Sequence, residues 1–399
     1  MAKSRVETLA LFGLPISNVT MTEAIGKIVD GIQSGRTQQI ATANLDFARN
    51  ARKDAYLHKV ICDCSMVLPD GAPMLWASIL FGRPLKERVT GVDLIPELAK
   101  LSAERGYRIF MLGSEEKNSK QAADVLEQRY PGVQIVERYS PPVKPLEQMD
   151  DQDILQRIHL AKPDILLVAF GNPKQELWID RNRERLNVPV MIGIGGSLDM
   201  IAGSLRRAPR MIQKLQLEWM FRMFQEPRRL FPRYARDFRA LVEHLPAAIV
   251  ATWRQPENGN DWPIEVSIEQ GTRVVHLPVV LAGPDCGAVI REVRDAAEKD
   301  ERVVLDMVLT ERVEADGVGC LLEARRIMSS AGLPFWLGSV ASPVRRVLNS
   351  SALVQHIRMA ATTPEAIKLA RSPERRKRYV PTTGVERLAK NVRDTATVT

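Results

Sequence analysis

Residues 164–178 read DILLVAFGNPKQELW, an apolar run that passes without a charged break into Gly171-Asn172-Pro173-Lys174-Gln175-Glu176. A short continuous apolar run, closed by turn formers and followed by an amphipathic segment, predicts a strand covered on both faces and then a helix over 174–185. Working outward, the same pattern recurs. QQIATA (38–43), SMVLP (65–69), YRIFML (107–112), VQIVE (133–137) and VPVMIGI (188–194) alternate with longer amphipathic stretches. Helices are expected to begin near Asp46 and Gly71 and to cover 115–129. Alternation of this kind predicts a doubly wound α/β unit with a parallel sheet.

The chain has 399 residues, 45% of them hydrophobic and 26% charged, which predicts two or three soluble globular domains. No apolar run is long enough to span a bilayer. The N-terminus lacks a secretory pattern, so the protein is expected in the cytoplasm. Four cysteines are too few for a disulfide scaffold, and Cys62-x-Cys64 has no second pair to complete a zinc site. The net charge of +8 is uneven. Residues 203–240 carry ten basic and three acidic side chains, and 371–399 carry eight and three, leaving the remainder acidic. Two basic segments on an acidic body predict attraction to a polyanion, either an anionic membrane surface or nucleic acid.

A linker is expected at 254–263 (RQPENGNDWP), and a second unit at 264–361. That unit reads strand, strand (273–277), helix (285–299), strand (303–308), helix (317–331), strand (334–337), helix (343–349). The tail, 362–399, is polar and basic without periodicity and is expected to be disordered.

In doubly wound sheets ligands bind beyond the carboxyl ends of the strands. The unusual polar and glycine residues fall there: Thr42 and Asn44, Asp70 and Gly71, Gly113 and Ser114, Gly171-Asn172-Pro173-Lys174-Gln175-Glu176, and Gly193-Ile194-Gly195-Gly196-Ser197. Each loop alone could be an ordinary turn. Five converging on one edge predict a ligand site. GIGGS suits a phosphate, through backbone N–H groups and a helix N-terminus, although it matches neither the dinucleotide nor the P-loop spacing. Asp70, in LPDGAP, follows a buried strand. Partial desolvation there would suit a general base, and a helix cap is the other reading. Asp151-Gln152-Asp153 is expected to open a helix rather than hold a metal. The five histidines are scattered, and no metal site is expected.

Six ordered motifs then stand together: TANLD (42–46), LPDGAPMLW (68–76), RVTGVDL (88–94), GNPKQELW (171–178), GIGGSLDMIAGSLRRAP (193–209) and LEWMFRMFQEPRR (217–229). From about Phe12 to Tyr234 the chain resembles the WecG/TagA/CpsF family of bacterial glycosyltransferases. The resemblance implies a Rossmann-like catalytic domain over 1–202 and a basic amphipathic appendage over 203–253. It implies transfer, with inversion, of N-acetylmannosamine or a related hexose. The donor is a UDP-sugar and the acceptor an undecaprenyl-diphosphate-linked saccharide, at the inner membrane face and without an obligatory metal or cofactor. By the same resemblance Asp70 is the base, and Thr42, Asn44, Arg88 and Gln175 are polar pocket residues. Ala72-Pro73 in LPDGAP points toward the exopolysaccharide branch. In the appendage, Arg206, Arg207, Arg210, Arg222, Arg228 and Arg229 are expected to meet the diphosphate or an anionic membrane surface, or to form a solvated face of a packing helix.

Residues 264–361 resemble a STAS domain, the anti-sigma-factor-antagonist fold, most closely over VVLDMVLTERVEADGVGCLLEARR (303–326). The family pattern Asp-Ser-Ser-Gly is replaced by Glu314-Ala315-Asp316-Gly317, with Asp316 at the phosphorylated position. A carboxylate carries about half the charge of a phosphoserine, so a switch-free interaction module is expected. Its partner is left open among another protein, the chain's own first domain and a small molecule. The competing reading is a non-catalytic signalling or nucleic-acid-binding protein. It gives the six loop motifs no role, and no recognised nucleic-acid motif is present.

Overall fold

The computed structural model describes residues 8–80, 83–204, 209, 220–221, 264–350 and 357–372. Arg206, Arg207, Arg210, Arg222, Arg228 and Arg229, with the linker at 254–263, lie outside the described residues.

The first domain opens with an antiparallel hairpin, β1 (Thr8–Leu11) and β2 (Leu14–Ser17), followed by α1 (Met21–Ser34). Thr20 and Glu23 form a reciprocal capping box at the start of α1, and Gly35 ends it in the left-handed conformation. Then come β3 (Gln38–Ala43), α2 (Leu45–Lys53), α3 (Ala55–Asp63), β4 (Met66–Pro69), α4 (Ala72–Leu80) and α5 (Gly91–Arg105). The domain continues through β5 (Arg108–Gly113), α6 (Glu116–Arg129), β6 (Gln134–Tyr139), α7 (Asp151–Ala161), β7 (Ile165–Ala169), α8 (Lys174–Leu186), β8 (Val190–Gly193) and α9 (Ser197–Ile201).

Six of these strands form one sheet in the order β4-β3-β8-β7-β5-β6, and every pairing in it is parallel. The chain leaves β3 for one edge and returns through β5 and β6 to the other, with β7 and β8 filling the middle. The continuous apolar strands have the reason that the sequence predicts. Side chains alternate between faces. Ile165 and Leu167 of β7 join the cluster formed with α1, α5 and α6, whereas Leu166 and Val168 join the one formed with α7 and α8. Each fully buried aliphatic side chain contributes about 1.5–3 kcal/mol. The edge strand β6 carries Glu137 and Arg138 and is only half-buried, which discourages pairing with another chain.

The Asp-Gln-Asp stretch opens α7, with Asp150 as its cap. Asp151 accepts hydrogen bonds from the buried Trp178 indole (2.8 Å) and from Arg181 (2.8 Å), so it anchors α8 against α7.

The second domain contains β9 (Glu265–Glu269), β10 (Thr272–His276), β11 (Val280–Leu281), α10 (Gly283–Glu298), β12 (Arg302–Asp306), β13 (Arg312–Val313) and α11 (Ala315–Ser330). It ends with β14 (Phe335–Gly338), α12 (Ser342–Ser350), β15 (Arg358–Met359) and α13 (Thr363–Arg371). Its sheet has the order β15-β14-β12-β10-β9, with β9 antiparallel to β10 and the other pairs parallel. The expected disordered tail at 362–399 is corrected at its start. Thr362 caps α13 by accepting from the Glu365 N–H, and Ala366, Ile367 and Ala370 are buried against β10 and β12. Three apolar positions at helical spacing secure this helix once a sheet is there to cover.

Candidate active site

The carboxyl ends of β3, β4, β5, β7 and β8 bring the polar loops to one edge of the sheet, and hydrogen bonds join them. Thr42, near the end of β3, is buried, and its hydroxyl donates to the Gly193 carbonyl at the end of β8 (2.9 Å). Asn44 caps α2, its Oδ1 accepting from the Asp46 N–H (3.0 Å). Asp70 is the first residue past β4. Its N–H donates to the Ala43 carbonyl (2.8 Å), which holds the half-buried aspartate beside the Ala43-Asn44 turn. Gly71 has φ +124°, and a Cβ there would stand 3.9 Å from the Asn44 Cβ. That backbone turn, which a side chain disfavours, brings the two loops together.

The next loop joins at the same place. The Val89 N–H donates to the Pro69 carbonyl (3.1 Å). Arg88, with its side chain 13% exposed, lies 4.0 Å from Asp93. Thr90 caps α5, accepting from the Asp93 N–H (3.2 Å) and donating to the Asp93 carboxylate (2.7 Å).

Gln175 is the knot of the site. Its Oε1 accepts from the N–H of Gly171 (3.1 Å) and from that of Gly195 (3.0 Å), tying the loops after β7 and β8. Its Nε2 donates to Glu176 Oε1 (2.7 Å), and the Asn172 amide donates to Glu176 Oε2 (2.9 Å). Asn172 in turn accepts from the Asn50 amide on α2 (2.7 Å). A Cβ at Gly193 would fall 2.6 Å from Gln175 Nε2 and 2.7 Å from Glu176 Oε1, so only glycine fits beneath this pair. Glu176 is buried, and burial pushes its carboxyl up to about 7, against the opposing pull of hydrogen bonds from Gln175 and Asn172.

Thr42, Asn44, Asp70, Gly171, Gln175, Gly193 and Gly195 therefore share one bonded edge, with Arg88 attached through Val89. Two expectations change. The Gly195 N–H, expected to approach a phosphate, is bonded to Gln175 instead. The helix after Gly196, α9, has five residues, too few for a strong dipole. Its Asp199 is held by the Ser114 hydroxyl (2.7 Å) and the Asn118 amide (2.9 Å). Lys174 donates to the Lys144 carbonyl (2.6 Å) and lies over the Phe170 ring. Asp316 is not in this edge. It pairs with Arg83, between α4 and α5.

The sequence places Asn172 and Glu176 in the loop that follows β7 but gives neither a role of its own. The available signal was spacing: Gln175, Trp178, Ile179 and Asn182 mark the inward side of α8, and Glu176 borders it.

A family model described as "Glycosyl transferase WecG/TagA/CpsF family" matches residues 9–256, more than half of the chain. Two similar proteins come from Staphylococcus aureus strains MRSA252 and NCTC 8325. Both are named N-acetylglucosaminyldiphosphoundecaprenol N-acetyl-beta-D-mannosaminyltransferase, and both are 29% identical over 230 residues. Those matches cover 57% of this chain and 89% of each relative. Among solved structures, the anti-sigma factor antagonist SpoIIAA in its unphosphorylated form is similar at 17% identity with a TM-score of 0.24, covering 28% of this chain and all of that one.

Proposed function

Because the chain belongs to the WecG/TagA/CpsF family of glycosyl transferases, we propose that it moves N-acetylmannosamine or a related hexose from a UDP-sugar to an undecaprenyl-diphosphate-linked saccharide. The observation that carries the proposal is the placement of Asp70. It is a carboxylate just past the carboxyl end of the edge strand β4, held against the Asn44 turn and beside the Arg88 loop. The names of the Staphylococcus aureus relatives support the acceptor class.

In this reading Asp70 takes the proton of the acceptor hydroxyl as that oxygen attacks the anomeric carbon. The bond from that carbon to the UDP oxygen breaks on the opposite face, so one in-line step with one base inverts the centre. UDP leaves with added negative charge. Arg88 and the appendage arginines Arg206, Arg207, Arg210, Arg222, Arg228 and Arg229 are the cations assigned to it. Thr42 and Gln175 keep the loops in register, so the donor meets a preformed edge.

The test is a donor screen with the full chain, a lipid-diphosphate-linked N-acetylglucosamine and a panel of UDP-sugars, reading release of UDP. Acceptor-dependent release with an N-acetylhexosamine donor is the expected result. No acceptor-dependent release with any donor refutes the reading.

A lipid-linked acceptor also requires the enzyme to reach a membrane. Among the described residues no helix is long and apolar enough to cross one. We assign the approach to the basic appendage, acting peripherally at the inner membrane face. Attraction to an anionic leaflet is worth about 1 kcal/mol per basic residue near the surface. Deleting 203–253 is expected to abolish salt-sensitive sedimentation with anionic liposomes and to lower transfer. Sedimentation equal to that of the intact chain would leave the segment as a packing element.

A further inference from the structure

The second domain raises a separate question: what does it bind? Helix α11 contains the decisive observation. From Asp316 to Ala324 every residue is buried, two and a half turns without an exposed position. A helix lying on one sheet presents its opposite side to water. Here that opposite side is covered by the first domain, where α11 packs on the β1–β2 hairpin and on α3. Cys62 of α3 belongs to the apolar cluster of the second domain, and Ala10 of β1 packs against it.

Polar contacts fix the register. Arg326 donates to the Ser17 hydroxyl (3.2 Å) and the Thr8 hydroxyl (3.0 Å). Arg325 donates to the Cys62 carbonyl (3.4 Å) and pairs with Asp63. At the N-terminal end of the helix Asp316, its side chain 8% exposed, pairs with Arg83.

Arg83 stands at one end of a short segment, and Arg88 stands near the other. The path between them is pinned at several points. The Arg83 N–H donates to the Ser78 carbonyl (2.8 Å). The Leu85 N–H donates to the Ser78 hydroxyl (3.0 Å), and its side chain is buried in the first-domain core. The Lys86 N–H donates to the Asn18 side chain (2.8 Å), and the Val89 N–H donates to the Pro69 carbonyl (3.1 Å). Six consecutive residues, 83–88, thus form a continuous backbone path from the Arg83–Asp316 pair to the arginine at the site.

We propose that Asp316 is a positioning residue for the transferase site, and that the partner of the second domain is the first domain of the same chain. Through Arg83, Asp316 sets the 83–90 segment and with it Arg88. The α11 face is therefore an intrachain brace, already occupied. The part concerning Arg88 rests on the function proposed above, whereas the brace does not.

The experiment uses five full-length proteins: wild type, Asp316→Ala, Asp316→Asn, Arg83→Ala and the charge-swapped pair Asp316→Arg with Arg83→Asp. Hydrogen exchange over residues 83–93 reads the brace without any reaction. Both alanine variants should exchange there about tenfold faster, and the swap should restore protection. Steady-state kinetics reads the site. Each alanine variant should raise KM for the UDP-sugar or lower kcat by about tenfold, with recovery in the swap. Asp316→Asn, which keeps the size of the side chain but removes its charge, should resemble Asp316→Ala. Unchanged exchange over 83–93 in Asp316→Ala overturns the proposal. Faster exchange with unchanged kinetics also overturns it, because the contact then holds the domains together without setting the site. If wild type transfers no sugar but the exchange pattern appears, the brace stands and the proposed function is what fails.

Discussion

Asp70→Asn is expected to lower kcat for sugar transfer by about 10²–10⁴-fold, the usual cost of losing a general base. Asparagine keeps the shape of the side chain and the backbone bond from residue 70 to the Ala43 carbonyl. It cannot take a proton. The loop should therefore remain in place, with donor binding and the melting temperature close to wild type. Loss confined to kcat separates this residue from Thr42 and Gln175. Those two join loops, through the Gly193 carbonyl and the N–H groups of Gly171 and Gly195, and their substitution should disturb binding as well. Equilibrium binding of UDP and single-turnover transfer check the split. A folded Asp70→Asn protein that turns over within about threefold of wild type would falsify the assignment of the base.

The parallel sheet was legible because strands covered on both faces must be apolar at every position, as Ile165 to Val168 are. The strand ends were legible for a related reason. Polar residues such as Thr42, Asn44 and Asp70 stand out where a buried run stops, and the fold puts those stops on one edge. Elements that depend on distant cover were not legible. The strands β1 and β2 have four residues each, too short for a pattern of their own, and the second domain supplies part of their packing. Helix α13 offers Ala366, Ile367 and Ala370 in a basic stretch, which reads as a tail until β10 and β12 are beneath it. The pair Arg83–Asp316 spans 233 positions. Charge alone marks neither residue as the partner of the other. The GIGGS loop shows the opposite limit. Its glycines were rightly placed at a strand end, but composition does not say which acceptor takes each N–H, and the Gly195 N–H goes to Gln175.

That knot leads to an expected pH dependence. Glu176 is buried, and its carboxyl rises from the ordinary value of 4.5 to about 7 because burial penalises the ionised form. The folded state therefore binds this proton more tightly than the unfolded chain does. Between those two values the folded state holds more protons, so stability falls as pH rises. The contribution is fully present below about pH 4.5 and lost as pH passes 7. A shift of that size corresponds to about 3 kcal/mol, comparable to burying a whole aliphatic side chain. Glu176→Gln keeps the side-chain length and leaves nothing to ionise. The wild-type melting temperature should then fall relative to Glu176→Gln as pH is raised from 5 to 8, by several degrees at about 2–4 °C per kcal/mol for a domain of this size. A constant gap across that range would mean that Glu176 titrates alike in the folded and unfolded chains. The same titration acts on the site, because Glu176 accepts from the Gln175 amide whose oxygen binds Gly171 and Gly195. Charging a carboxylate beneath Gly193 brings a desolvated anion into the one place where both glycine loops are fastened. Donor KM in wild type is therefore expected to rise above pH 7, and Glu176→Gln should flatten that rise while leaving the dependence on Asp70 intact.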